Sequence, residues 1–126
     1  MEEKTYKILV VDDEEVICNL LKDFLGDKGY EMMSVNCGKD ALEALKTFQP
    51  NLMLLDIELP DMKGLEVLQH ARTINRTLKV LMLTGHGTME TAIESMQLGA
   101  YDHLSKPFEL NLLESKIKKM IKDERF

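Results

Sequence analysis

Apolar residues along this chain follow two alternating rhythms. Short unbroken runs, Ile8 to Val11, Leu52 to Leu55 and Val80 to Leu83, have the look of strands buried on both faces of a parallel sheet. Lys7 to Val11 therefore reads as the first strand, and Glu31 to Asn36, less apolar, as a second at the sheet edge. Leu52 to Leu55 is a third, Lys79 to Leu83 a fourth, and Tyr101 to Leu104 a short fifth. Between them the apolar positions fall at helical spacing. Ile17, Leu20, Leu21, Phe24 and Leu25 mark a helix from Glu14 to about Lys28, broken by Gly29. Gly38 to Phe48 turns Ala41, Leu42, Ala44, Leu45 and Phe48 inward and closes at Pro50. Leu65 to about Ile74 carries Leu65, Leu68 and Ala71 on one face, with Val67 and Ile74 beside them. Met89, Ala92, Ile93 and Met96 give a fourth helix its inner face, ahead of Gly99. The last helix, Leu110 to about Lys122, buries Leu110, Leu113, Ile117 and Met120 or Ile121, leaving Lys116, Lys118, Lys119 and Lys122 outside. Strand and helix thus alternate five times, without repeat or linker. The expected fold is α/β, a parallel sheet with helices on both faces and right-handed crossovers, and residues 1–126 are expected to be one domain.

The strand ends carry the chemistry. In open α/β sheets, ligands sit in the crevice outside the carboxyl ends of the strands. There this chain places Asp12 and Asp13, Asp56, Thr84 and Lys106. Asp56 follows an apolar run and precedes Pro60 and Gly64, which turn the chain away, so it is expected to be presented rather than packed. Taken alone, an Asp here is equally a turn former or helix cap, and Glu14 and Glu15 suit the positive end of the first helix. Four strand ends bearing polar groups at one edge change that balance. Three clustered carboxylates repel unless a cation joins them, so their pKa values should rise in the empty site and fall when a divalent ion binds. Hard oxygen ligands with room for water suit Mg²⁺. A carboxylate beside Mg²⁺ is a nucleophile for phosphorus, with Lys106 and Thr84 available to hold phosphoryl oxygens.

Composition narrows the classes. The chain has 126 residues, 44% hydrophobic and 30% charged, long enough for one core and too short for a catalytic domain plus a cap. Asp and Glu outnumber Lys and Arg by 22 to 16, and a net charge of −6 disfavours direct nucleic-acid binding. The first apolar run is too short for a signal peptide or a membrane span, so a cytoplasmic location is expected. Cys18 and Cys37 lack metal-ligand spacing and read as reduced, inert thiols. His70, His86 and His103 match no zinc spacing, and no G-x-G-x-x-G, P-loop or G-x-S-x-G occurs. Four consecutive acids after the first strand would repel the phosphate of a flavin.

The segments VVDDE, LLDIELPDMKGLEVL, MLTGHG and GAYDHLSKPF, in that order and spacing, resemble the receiver domains of two-component response regulators over nearly the whole chain. The resemblance implies a flavodoxin-like, doubly wound five-stranded sheet of order 2-1-3-4-5, with Asp56 as phospho-acceptor. It implies Mg²⁺ held by Asp13, Asp56 and the backbone carbonyl of Glu58, with Asp12 through water, and a cis Lys106-Pro107 bond. The donor would be a phosphohistidine on a sensor histidine kinase or phosphotransfer protein, and the chain would be a signalling domain catalysing only its own phosphorylation and dephosphorylation. In that family the threonine hydroxyl moves towards the phosphoryl group and an aromatic residue on the fifth strand follows. His103 stands at that position, and two readings are equally open: an imidazole that makes the same switch with an occupancy dependent on pH near neutrality, or a solvated histidine on a short strand. Glu58 and His86 lie where side chains tune phosphoryl gain and loss, Glu58 by slowing attack on small anionic donors. Lys63 replaces a more usual acid. The fourth helix, fifth strand and fifth helix would form the surface for a homodimer or an output domain. TGHG and GAYDHLSKPF look similar to receivers attached to ATPase-type transcription activators. The competing reading is a haloacid-dehalogenase-like aspartyl-phosphate phosphatase, which expects Asp at the position of Glu58 and its metal-binding acid pair late in the chain rather than at 12 and 13.

Overall fold

The computed structural model describes residues 5–85 and 89–123, with Met89 described by its backbone alone. Ten elements alternate: β1 (Lys7–Val11), α1 (Glu15–Gly26), β2 (Glu31–Val35), α2 (Gly38–Thr47), β3 (Leu52–Asp56), α3 (Gly64–Ile74), β4 (Lys79–Thr84), α4 (Met89–Gln97), β5 (Asp102–Ser105) and α5 (Leu110–Lys122). All strand pairs are parallel and the sheet order is β2-β1-β3-β4-β5, as the sequence resemblance implies. No described helix is long and apolar enough to cross a membrane.

Alternate residues of the central strands enter two separate cores because successive side chains leave a strand on opposite faces. Leu9, Val11, Met53, Leu55, Val80 and Met82 pack with α2 and α3. Ile8, Val10, Leu52, Leu54, Leu81 and Leu83 pack with α1 and α5. Strand register then assembles the polar edge: Asp56 lies opposite Leu83 and Thr84 opposite Ser105. The Lys106 N–H donates to the Thr84 carbonyl at 2.7 Å, and the Asp12 N–H to the Val35 carbonyl at 3.2 Å. Gly64 opens α3 where the chain folds back on β3. Its N–H donates to the Ile57 carbonyl at 2.6 Å, and a Cβ would come within 2.7 Å of the Ile57 Cα. Only glycine permits that approach.

The inner face of α4 differs from the expected one, and single positions in α1 and α3 depart from theirs, while Leu21 and Leu25 of α1 are buried as expected. In α4, Ile93 and Met96 are 51% and 44% exposed, while Ser95 is wholly buried. The Ser95 hydroxyl donates to the Ala92 carbonyl at 2.8 Å, so its burial leaves that hydroxyl satisfied. In α1, Cys18 is buried, whereas Leu20 is 46% exposed. Ile74, expected inside α3, is also exposed. Glu14 precedes α1 as its N-cap residue.

Candidate functional site

Lys106 occupies the centre of the polar edge. Its Nζ lies 2.6 Å from Asp12 Oδ2, 3.2 Å from Asp56 Oδ2 and 3.8 Å from Glu14 Oε1. The remaining carboxylate oxygens are held by backbone: Asp12 Oδ1 accepts the Glu14 N–H at 2.9 Å, and Asp56 Oδ1 the Glu58 N–H at 3.1 Å. Asp12 is supported from below, where the Cys18 thiol and the Asn36 amide both donate to its backbone carbonyl, at 3.3 and 3.0 Å. Beside these groups is a cavity of about 250 Å³ lined by Asp13, Glu14, Asp56, Glu58, Thr84 and Lys106. The Lys106-Pro107 peptide bond is cis, as the resemblance implies.

Asp56 faces the cavity yet is only 6% exposed, so it is presented and packed at once. The Lys106 ammonium, which sequence reading assigns to a phosphoryl oxygen, here lies 3.2 Å from Asp56 Oδ2. Burial pushes the Asp56 carboxyl above its ordinary range. The Glu58 N–H and the Lys106 ammonium pull it back without cancelling the rise, and the Asp12 charge adds to it. Burial alone would lower the Lys106 pKa, but its bond to Asp12 and the charges of both carboxylates raise it, so the ammonium form is held firmly.

Thr84 ends β4 at the same cavity. Its Oγ1 is buried and meets no hydrogen-bond partner among the described residues, a costly state for a hydroxyl. Asp12, Asp13 and Asp56 each offer an oxygen, and the three lie within 4.8 Å of one another. This donor set fits a hard divalent cation, which takes oxygen ligands and keeps waters: three carboxylate oxygens, with Asp13 exposed to solvent.

Glu58 lines the cavity from its exposed rim, but not every expected residue reaches it. His103 is half-buried on β5 and lines a separate depression with Leu104, Pro107, Phe108 and Leu112. His86 falls outside the described residues. Glu14, read as a helix-end charge, instead reaches towards Lys106 and lines the cavity. Thr91 of α4 also borders it, which no local pattern indicated. Cys18 and Cys37 are free thiols, as expected, with burial raising the pKa of Cys18.

The comparisons agree with this arrangement. Residues 8–118 match the family model described as the response regulator receiver domain. Sporulation initiation phosphotransferase F of Bacillus subtilis (strain 168) is 34% identical over 115 residues, covering 91% of this chain and 93% of that protein. Regulatory protein AtoC of Escherichia coli (strain K12) is also 34% identical, over 85% of this chain but only 23% of its own length. A response regulator receiver domain protein (CheY-like) from Methanospirillum hungatei JF-1 superposes with a TM-score of 0.89 at 32% identity, covering 97% of this chain and 98% of that one. NtrX from Brucella abortus superposes at 0.88 and 35% identity over 94% of this chain and 27% of its own. The chain therefore spans nearly all of the first relative and about a quarter of the larger regulators. With a family match that includes every acid of the cavity, the phosphatase alternative falls away, and the chain belongs to the response regulator receiver domains of two-component signalling.

Proposed function

We propose that Asp56 accepts a phosphoryl group from a phosphohistidine on a sensor histidine kinase or phosphotransfer protein, and that residues 1–126 act as one cytoplasmic receiver domain that signals rather than turning over a substrate. The observation that carries the reading is a buried Thr84 hydroxyl without a described partner, beside an ammonium shared between Asp12 and Asp56. The Thr84 hydroxyl is a donor with no acceptor among the described residues, and the ammonium stands beside Asp56, where it can take up a further oxygen; a phosphoryl group brings three. One Asp56 oxygen attacks phosphorus, the P–N bond breaks, and the imidazole leaves with the electron pair and takes up a proton. The Lys106 ammonium holds one phosphoryl oxygen and Thr84 Oγ1 donates to a second. Asp13, Asp56 and the Glu58 backbone carbonyl, with Asp12 through water, would hold Mg²⁺, which when bound supplies the charge that neutralises the phosphoryl oxygens. Glu58, exposed at the rim, repels small anionic donors.

Capture of the Thr84 hydroxyl by the phosphoryl group is the step that reaches the surface, with His103 of β5 following it. Ile93 and Met96 of α4 and Leu112 of α5 are exposed apolar side chains on the elements flanking β5, which suits a homodimer or an output domain there.

The test is the intact mass of the protein after incubation with acetyl phosphate and Mg²⁺, and separately with a phosphohistidine donor protein. One base-labile phosphoryl group is expected, absent from Asp56→Asn and from samples in EDTA. No adduct from either donor overturns the reading.

A further inference from the structure

Between β3 and α3 the chain runs through residues 57–63, the loop that carries Glu58. Nothing in this loop is regular, yet its Glu58 N–H is aimed at Asp56 Oδ1 and its geometry decides where the Glu58 carbonyl points. A loop holds such a position only if something outside it fixes it.

Three contacts do so. At the base, the Gly64 N–H returns to the Ile57 carbonyl at 2.6 Å. Across the loop, Glu58 and Lys63 form an isolated antiparallel bridge. The third contact leaves the loop altogether. Asp61 Oδ1 accepts the N–H of Gly38 at 2.7 Å, and Oδ2 accepts the N–H of Lys39 at 2.9 Å. Those are the first two amides of α2. The residue before them, Cys37, makes no side-chain capping bond, so the cap comes from Asp61, 23 positions beyond Gly38 in the chain. Beside this contact Met62 lies over Gly38, where a Cβ would come within 2.6 Å of the Met62 sulfur and 3.0 Å of Val67 Cγ2. Gly38 leaves the space that Met62 fills. The N-terminus of α2 and the tip of the loop are thus interlocked by two charge-assisted hydrogen bonds and one packed side chain.

We infer that Asp61 is a positioning residue of the phosphoryl site: by clamping the β3–α3 loop to the N-terminus of α2, it holds the Glu58 backbone in the orientation that serves Asp56 and the divalent cation. The inference rests on the assignment of Mg²⁺ to Asp13, Asp56 and the Glu58 carbonyl. A carboxylate is needed because two amide donors diverge from the helix end and a single acceptor oxygen satisfies only one. The negative charge also faces the positive end of α2, and the two N–H donors hold the Asp61 carboxyl below its ordinary range.

The experiment compares the full chain with Asp61→Ala and Asp61→Asn. Mg²⁺ affinity is read by calorimetric titration, and amide hydrogen exchange of residues 57–63 is read without metal. Asp61→Ala is expected to weaken Mg²⁺ about tenfold, the usual cost of losing an outer-shell partner. Faster exchange at Glu58 should accompany it, and Asp61→Asn, which keeps one acceptor, should fall between. Circular dichroism establishes that both variants are folded, and should Asp61→Ala fail to fold, Asp61→Asn alone carries the comparison. If the folded variants bind Mg²⁺ as tightly as the parent, Asp61 is a helix cap only and the inference is overturned. If the parent itself binds no Mg²⁺, the metal assignment fails first and takes this inference with it.

Discussion

Around the amino ends of the strands, Lys7, Lys79 and Arg72 aim cationic groups at backbone carbonyls. At the carboxyl ends, Lys106 aims its ammonium at two carboxylates. Lys7 Nζ reaches the Phe48 carbonyl at 3.2 Å, at the end of α2. Lys79 Nζ donates to the carbonyls of Met120 and Asp123, closing α5. The Arg72 guanidinium donates to the Leu78 carbonyl and, at 2.6 Å, to that of Gly99, tying α3 to the turn after α4. In a parallel α/β fold the helix C-termini gather at this edge, so cations here meet orphan carbonyls and the negative ends of helix dipoles. Such partners neither titrate nor leave. Lys106 instead meets side-chain carboxylates, and those of Asp12 and Asp56 belong, with Asp13, to the oxygen cluster that fits a divalent cation. A cation at a strand end is therefore structural when backbone carbonyls hold it, and under the proposed function it serves the chemistry when its partners are the carboxylates of the site.

The largest effect that tests this division is on phosphorylation. Lys106→Met is expected to slow labelling by acetyl phosphate about 10²–10³-fold, the range for removing one preorganised donor from a developing charge. Arg72→Met should leave the rate per folded molecule unchanged while costing about 2–4 kcal/mol of stability in urea unfolding, because two carbonyls lose charged donors. A folded Arg72→Met that labels as slowly as Lys106→Met would erase the distinction between the two edges.

Much of this was legible in the chain because strand and helix rhythms are local. The bounds of α5, the strand order implied by resemblance, and the four polar strand ends are all found as read. What escaped was non-local or undecided by hydrophobicity. Periodicity shows that α4 has an apolar stripe, but it does not tell a stripe packed on the sheet from one left for a partner. Ser95 went inside because its hydroxyl closes on its own helix. The sequence points to Glu14 only as a helix-end charge and does not single out Asp61, because their partners, Lys106 and the amides of Gly38 and Lys39, are far away in sequence. Backbone N–H groups leave no trace in residue type, so a cap delivered from a distant loop has no sequence signature.

The smallest effect is also the most diagnostic, because the two edges carry acids shifted in opposite directions. At the carboxyl end of β3, burial raises Asp56, so folding disfavours its charge in metal-free buffer. At the amino end of β5, burial would raise Asp102, but the Lys116 ammonium at 2.7 Å and the His103 N–H at 2.8 Å outweigh it and lower the pKa. Asp56 thus costs nothing in acid, where both states are protonated. Its penalty grows as pH climbs from the unfolded value of about 3.9 through the raised folded value, and stays above it. Asp102 contributes stability above the unfolded value and loses it as pH falls through its depressed folded one. In EDTA at neutral pH, Asp56→Asn should therefore raise the urea midpoint and Asp102→Asn lower it. The second change should stay below about 1 kcal/mol, since the Asp102 side chain is 34% exposed. Titrating both variants and the parent downward should bring the three midpoints together in acid. Divergence of Asp56→Asn to lower stability at neutral pH would mean that Lys106 already compensates the buried charge in full, leaving no electrostatic strain for a metal or a phosphoryl group to relieve.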